Sequence, residues 1–207
     1  MIRVATRSAR RRPLAALTMA ALAAALLAAA ARVLAPARLD AVAEFPRVRP
    51  ADLAHLLADV STHTLIPASW SLEEEAGNYT MWRYAVSYAC GARCAGRAAV
   101  SAHERRARPQ HGAATEHQVL VRRRHCRTLP LMPWPQLCDE IETEWLVTGT
   151  GDANGGARLQ EVALARCDAW AALLAACPAA RDLRLQRDAQ LRRLRDMLAG
   201  RAARLHA

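Results

Sequence analysis

Residues 79–90 read Tyr79-Thr80-Met81-Trp82-Arg83-Tyr84-Ala85-Val86-Ser87-Tyr88-Ala89-Cys90. From Trp82 to Tyr88 every second residue is aromatic or β-branched, with Met81, Arg83, Ala85, Ser87 and Ala89 between them. A period of two with large side chains on one face predicts a strand laid against a core. Outward from this stretch the signal returns. Glu116 to Cys126 is apolar at Val119 and Val121 and ends in Arg122-Arg123-Arg124. Glu140 to Thr148 carries an acidic face that can pair with those arginines across a sheet. Ala98 to His103 predicts a shorter strand. The connections are a turn at Gly91–Gly96, a polar, basic loop at Glu104–Ala114, and a proline-rich segment around Pro130, Pro133 and Pro135.

On the N-terminal side, Ser61 to Asn78 reads as a loop with Pro67, Gly77 and the acidic run Glu73-Glu74-Glu75. Asp52 to Val60 is a short amphipathic helix, and residues 38–50, with Pro46, Pro50 and the adjoining Pro36, read as a loose leader. Beyond the flexible break Gly149–Gly156 the period changes. Leu159, Val162, Leu164, Trp170, Leu173, Leu174 and Cys177 suit a helix ended by Pro178. Leu183, Leu191, Leu194, Leu198 and Leu205 continue in a second helix, which carries eight arginines and three aspartates between Arg181 and Arg204. The expectation is an α+β fold, a small antiparallel sheet with a C-terminal helical tail. It divides into residues 1–37, a leader with a short helix at 38–60, a β-rich domain at 61–151 and a tail at 157–207.

Residues 1–12 hold five arginines and no acid, and residues 14–31 are an uncharged run of alanine and leucine with one Thr and one Met. A basic start and an apolar centre describe a secretory signal. Ala35-Pro36-Ala37 and Ala29–Ala31 are candidate cleavage sites. The 18-residue run also just suffices to span a bilayer, so a retained signal anchor is the alternative. Secretion is the leading expectation and a single-pass membrane protein the second. A membrane contact follows only if the signal stays.

The net charge of +10 arises largely in this segment. Residues 1–37 take six of the 29 basic residues, and the remaining 23 face 19 acids. The rest of the chain lacks the concentrated basic stripe that nucleic acid requires, so no nucleic-acid partner is expected. All six cysteines, Cys90, Cys94, Cys126, Cys138, Cys167 and Cys177, lie beyond the signal. An even number in an exported chain predicts disulfides.

No Gly-rich phosphate loop, nucleophile elbow or zincin helix is present, so the expectation is a protein that is not an enzyme and takes no cofactor. His103, His111, His117 and His125 crowd one basic segment beside Cys126. They read as a solvated loop rather than a zinc site, and no metal is expected. Asn78-Tyr79-Thr80 is a glycosylation sequon ahead of a strand. The basic helix at 181–205 reads as a solvated face over a leucine stripe.

Three segments resemble the interleukin-17 family of cytokines. Ser61-Thr62-His63-Thr64-Leu65-Ile66-Pro67-Ala68-Ser69-Trp70 stands where that family has a Ser-Thr segment ending in Pro-Trp. Tyr88-Ala89-Cys90-Gly91-Ala92-Arg93-Cys94-Ala95-Gly96 is similar to its Ala-x-Cys followed by Cys and Gly. Val119-Leu120-Val121-Arg122-Arg123-Arg124-His125-Cys126 is similar to its strand ending in Val-Leu-Arg-Arg near a cysteine. The resemblance spans residues 61–151. It implies a cystine-knot-like sheet, a secreted ligand for a cell-surface protein receptor, and a homodimer. On this reading Trp70, Arg122 and Arg124 are the receptor-contact candidates. The family's closing Cys-x-Cys has Gly149-Thr150-Gly151 in its place, so its two cross-sheet bridges lack partners. Cys126–Cys138 is then the favoured pair, closing a hairpin. Cys90 and Cys94 either pair locally or meet the tail. Cys167 and Cys177 are ten residues apart, about 15 Å along a straight helix, and pair only if that helix breaks. A membrane-anchored envelope or assembly protein is the alternative function.

Overall fold

A computed structural model of the protein describes residues 19, 21, 24, 36–63, 66, 69–91, 93–106, 115–128, 136–150, 155–168, 171 and 178–205. The chain divides into two compact units, Met1–Ala35 and Pro36–Ala207. In the first, Met19, Ala21 and Ala24 are helical and exposed. The rest of the expected signal, with its cleavage sites, lies outside the described residues. Among the described residues no helix is long and apolar enough to cross a membrane.

The second unit is built on one seven-stranded antiparallel sheet in the order β1-β7-β6-β5-β4-β3-β2. Its strands are β1 (Ala37–Pro46), β2 (Trp70–Gly77), β3 (Met81–Gly91), β4 (Cys94–Arg106), β5 (Thr115–Arg127), β6 (Leu137–Gly149) and β7 (Gly156–Cys167). Helix α1 (Pro50–Ala58) and a 3-10 turn (Val60–Thr62) join β1 to β2, and helix α2 (Pro178–Leu205) ends the chain. This corrects the expected small cystine-knot-like sheet, although the C-terminal helix is present. The leader contributes β1, whose Ala37, Leu39, Ala41, Ala43 and Phe45 share a face. Of the stretch read as the first tail helix, Trp170, Leu173, Leu174 and Cys177 lie outside the described residues, and the first part, through Cys167, is β7. There Leu159, Ala163 and Ala165 are buried on one face, while Val162 and Leu164 lie on the other. Apolar residues at both parities hide the period of two, and pairing on both sides decides for a strand. The acidic segment read as loop is β2, which bulges between Leu72 and Glu74.

One face of the sheet is covered. Pro50 fits the first turn of α1, where its missing N–H costs nothing, and Leu53, Leu56 and Leu57 go inward. The Tyr84 hydroxyl fastens β3 to the end of this helix. It donates to Ala58 O at 2.5 Å and accepts from Val60 N at 2.8 Å. Helix α2 buries Leu183, Leu191 and Leu194, which lie along one stripe. Full burial of Leu194 alone is worth about 2 kcal/mol. Arg193 donates to Ser61 O at 3.0 Å, and Arg195 sits 6.0 Å from the centre of the Phe45 ring. The other face of the sheet is polar, as in antiparallel sheets covered on one side; Arg122 there pairs with Glu142 at 3.0 Å.

Two bridges are local. Cys90 joins Cys94 across the β3–β4 turn, and Cys126 joins Cys138, its direct partner between β5 and β6. Cys167 is also disulfide-bonded, and Cys177 lies outside the described residues. With Cys90 and Cys94 joined to each other, neither bridges to the tail.

Candidate functional site

The apolar side of the sheet is interrupted. One core cluster gathers Leu53, Leu57, Val86, Val121, Trp145 and Leu194 with their neighbours, and a smaller one gathers Ile141, Ala163, Ala165 and Leu183. Polar groups fill the seam between them. The alternation of β5, β6 and β7 forces this, because Arg123, Asp139, Thr143 and Glu161 share the inward parity of Val121, Trp145 and Leu159. Asp139, Thr143 and Glu161 are buried, and Arg123 is half-buried.

Arg187 of α2 reaches Glu161 at 3.2 Å. Burial pushes the Glu161 carboxyl upward, and Arg187, hydrogen bonds from Trp145 and Arg187, and Arg123 oppose this. His63, just past the 3-10 turn, donates from Nε2 to Leu57 O at 2.9 Å and meets the Trp145 ring edge-on at 5.6 Å. Burial, aided by Arg123, lowers its pKa to about 4, so the ring is neutral at pH 7. The Tyr88 hydroxyl hydrogen-bonds His125 Nε2, and His125 Nδ1 faces Asp139 Oδ2 at 4.0 Å. A proton on Nδ1 toward the carboxylate leaves Nε2 to accept from the tyrosine. Burial raises Tyr88 to about 12, lowers His125 and raises Asp139.

A cavity opens at this seam, beneath α2. Its lining mixes polar groups, among them His63, Arg123, Thr143, Trp145, Glu161 and Arg187, with apolar Ile141, Ala163 and Leu183. The cavity is partly open to solvent, and about 30 Å³ of it can hold the centre of a water-sized guest. Arg123 is central. Its charge adds to the burial that lowers His63 and His125 and partly opposes the burial that raises Tyr88, Asp139 and Glu161. Burial lowers its own pKa against Tyr88, Asp139 and Glu161. No carboxylate of a described residue comes within 4.0 Å of its guanidinium; Glu161 is taken by Arg187, and Asp139 faces His125.

The residues singled out from sequence lie elsewhere. Arg122 and Arg124 are on the exposed face of β5. Trp70, 39% exposed on the edge strand β2, belongs to the opposite face. Asn78 sits in the exposed β2–β3 turn, where its side-chain oxygen accepts from Thr80 N at 3.0 Å and Met81 N at 2.8 Å. His117 and His125 face inward, His103 faces outward, and His111 lies outside the described residues. Among the described residues no group of three His, Cys, Asp or Glu side chains could hold a metal ion. Cys90, Cys94 and Cys126 are disulfide-bonded and unavailable as thiolate ligands. The cavity itself was not read from sequence. Its one local signal is Arg123, a charge at the inward parity of Val119 and Val121.

No family model matches the chain, and no curated protein matches it in sequence. Among solved structures it is similar to an uncharacterized protein from Rhizobium leguminosarum, at 10% identity over 77% of this chain and 93% of that one, TM-score 0.39. It is also similar to the di-domain ARO/CYC StfQ of the steffimycin biosynthetic pathway, at 15% identity over 83% of this chain and 53% of that one, TM-score 0.40. A third is protein CV1439 from Chromobacterium violaceum, at 15% identity over 78% of this chain and 95% of that one, TM-score 0.36.

Proposed function

We propose that the protein is an exported small-molecule-binding protein whose ligand enters the cavity between the sheet and α2. The observation that carries this reading is the mixed wall of that cavity. Charged and polar groups at Arg123, Glu161 and His63 line one space together with Ile141, Ala163 and Leu183. Concave sites with an apolar body and a few convergent polar groups are the usual form of ligand pockets. A chain that only needed a core would have placed apolar side chains at those inward positions. No reaction is assigned to the site. The disulfides and the basic, then apolar, start of the chain support an oxidising compartment.

The test is a thermal-shift panel on the full chain, made under oxidising conditions, with acids, amides, alcohols and amines of two to six non-hydrogen atoms. At least one member should raise Tm. Ala163→Leu, which fills the cavity, should abolish that response while keeping the circular dichroism of the parent. A panel in which no compound stabilises the parent protein, or in which the variant responds equally, sinks the reading.

A further inference from the structure

We propose that the ligand held in this cavity is a carboxylate, anchored by the Arg123 guanidinium. The inference rests on the binding reading above and adds the chemical class.

Arg123 reaches inward from the middle of the sheet, between Ala98 of β4 and Ile141 of β6, and its cross-strand neighbours offer it no polar partner. Arg123 is half-buried, and a guanidinium partly withdrawn from water favours an anion that meets its donors. The nearby carboxylates are engaged elsewhere, Glu161 by Arg187 at 3.2 Å and Asp139 by its approach to His125. The arginine therefore lines the cavity with its planar fork of donors uncommitted to any described carboxylate. That fork matches the two oxygens of a carboxylate in a bidentate pair.

Size narrows the class. About 30 Å³ admits the centres of a guest, which is the room of one or two waters. A flat head group of three heavy atoms fits that space. The surroundings of Arg123 suit a short apolar continuation, because its cross-strand partner Ile141 lines the cavity with Ala163 and Leu183. Glu161 and Arg187 both line the cavity and neutralise each other at 3.2 Å, which leaves Arg123 as the cation for a single carboxylate. The ligand class is a monocarboxylate with a small apolar body.

The probes are acetate and propionate against their amides, acetamide and propionamide, each to about 100 mM at constant ionic strength with the full chain. A carboxylate with a dissociation constant near 10 mM raises Tm by about 3 °C at that concentration. The expected result is such a rise with the acids, none with the amides, and loss of the rise in Arg123→Met. Arg123→Lys, which keeps the charge and loses the fork, should retain a smaller rise and guards against a variant that fails to fold. Equal shifts in the parent protein and both variants would overturn the proposal, as would no shift with either acid. If neutral members of the wider panel still act through Ala163, the binding reading survives the failure of this one; if none does, both fall.

Discussion

The Tyr88 ring lies across Gly96, its direct partner on β4, and occupies the space that a side chain at residue 96 would need. A Cβ built on Gly96 would collide with the ring carbons and the hydroxyl oxygen. Gly96 in turn pairs with His125 on β5, so the bare backbone of residue 96 lets the tyrosine reach across one strand to bond the histidine on the next. Glycine inside a strand has this use where another group must approach closely. Gly96→Ala should cost about 1–3 kcal/mol through the overpacked ring. Urea unfolding checks this, and an unchanged midpoint would show that Tyr88 has another way to sit.

Glu161 depends on Arg187. Arg187→Met leaves a buried carboxylate without its cation and should destabilise by about 3 kcal/mol at pH 7, most of which Glu161→Gln added to it should restore. The sign with pH is set by burial, which raises the folded pKa of Glu161 above its unfolded value. The folded state then holds the proton more tightly, so stability falls as pH rises above about 4.5. Without Arg187 that fall should steepen. Denaturation from pH 4 to pH 8 reads it.

His63 acts in the opposite direction. Its pKa is about 4 when folded and 6.5 when free, so the unfolded chain binds the proton first. Its stabilising contribution is complete above about pH 6.5 and is lost as pH falls toward 4, by about 3 kcal/mol in all. His63→Gln, which can still donate to Leu57 O, should flatten the stability profile in that window. A profile identical to that of the parent protein would place the titration elsewhere.

The exposed arginines should matter little for folding. Arg122 and Glu142 form a solvent-exposed pair at 3.0 Å, with the arginine side chain 57% exposed. A double-mutant cycle there should give about 0.5 kcal/mol. Arg122→Glu with Arg124→Glu should leave the circular dichroism unchanged, and loss of the fold would show a structural role.

Opening Cys126–Cys138 should be costlier. The bridge closes a short loop between paired strands, and loops of that size contribute about 3 kcal/mol through the unfolded state. The Cys126→Ala, Cys138→Ala double variant should lose that stability in guanidinium titrations without changing the sheet.

Local alternation alone predicted β3, β5 and β6 close to where they lie, because each carries a buried face at a strict period of two. The leucine stripe of α2 and the amphipathic run of α1 from Asp52 were legible for the same reason, each being a pattern written within one element, whereas Pro50 was read as leader and proved to be the first residue of α1. Other features depended on partners distant in the chain. β1 mixes Ala37, Ala41 and Ala43 with charged Arg38, Asp40 and Glu44 and ends on Pro46, and it is a strand because β7 is there to pair with it. β7 carries Val162 and Leu164 on its outer face, which blurred its period until two neighbouring strands satisfied its backbone. β2 is eight exposed residues with a run of acids, held by β3. The cavity was furthest from view. His63, Arg123, Glu161 and Arg187 are spread over more than a hundred residues, and in sequence Arg123 is one of three adjacent arginines. Strand parity turns Arg122 and Arg124 to solvent and Arg123 to the interior, but only the docking of α2 over the sheet makes that interior a site. Sequence could therefore determine which residues prefer strands and helices, whereas tertiary packing decided which of the many charges was taken out of water.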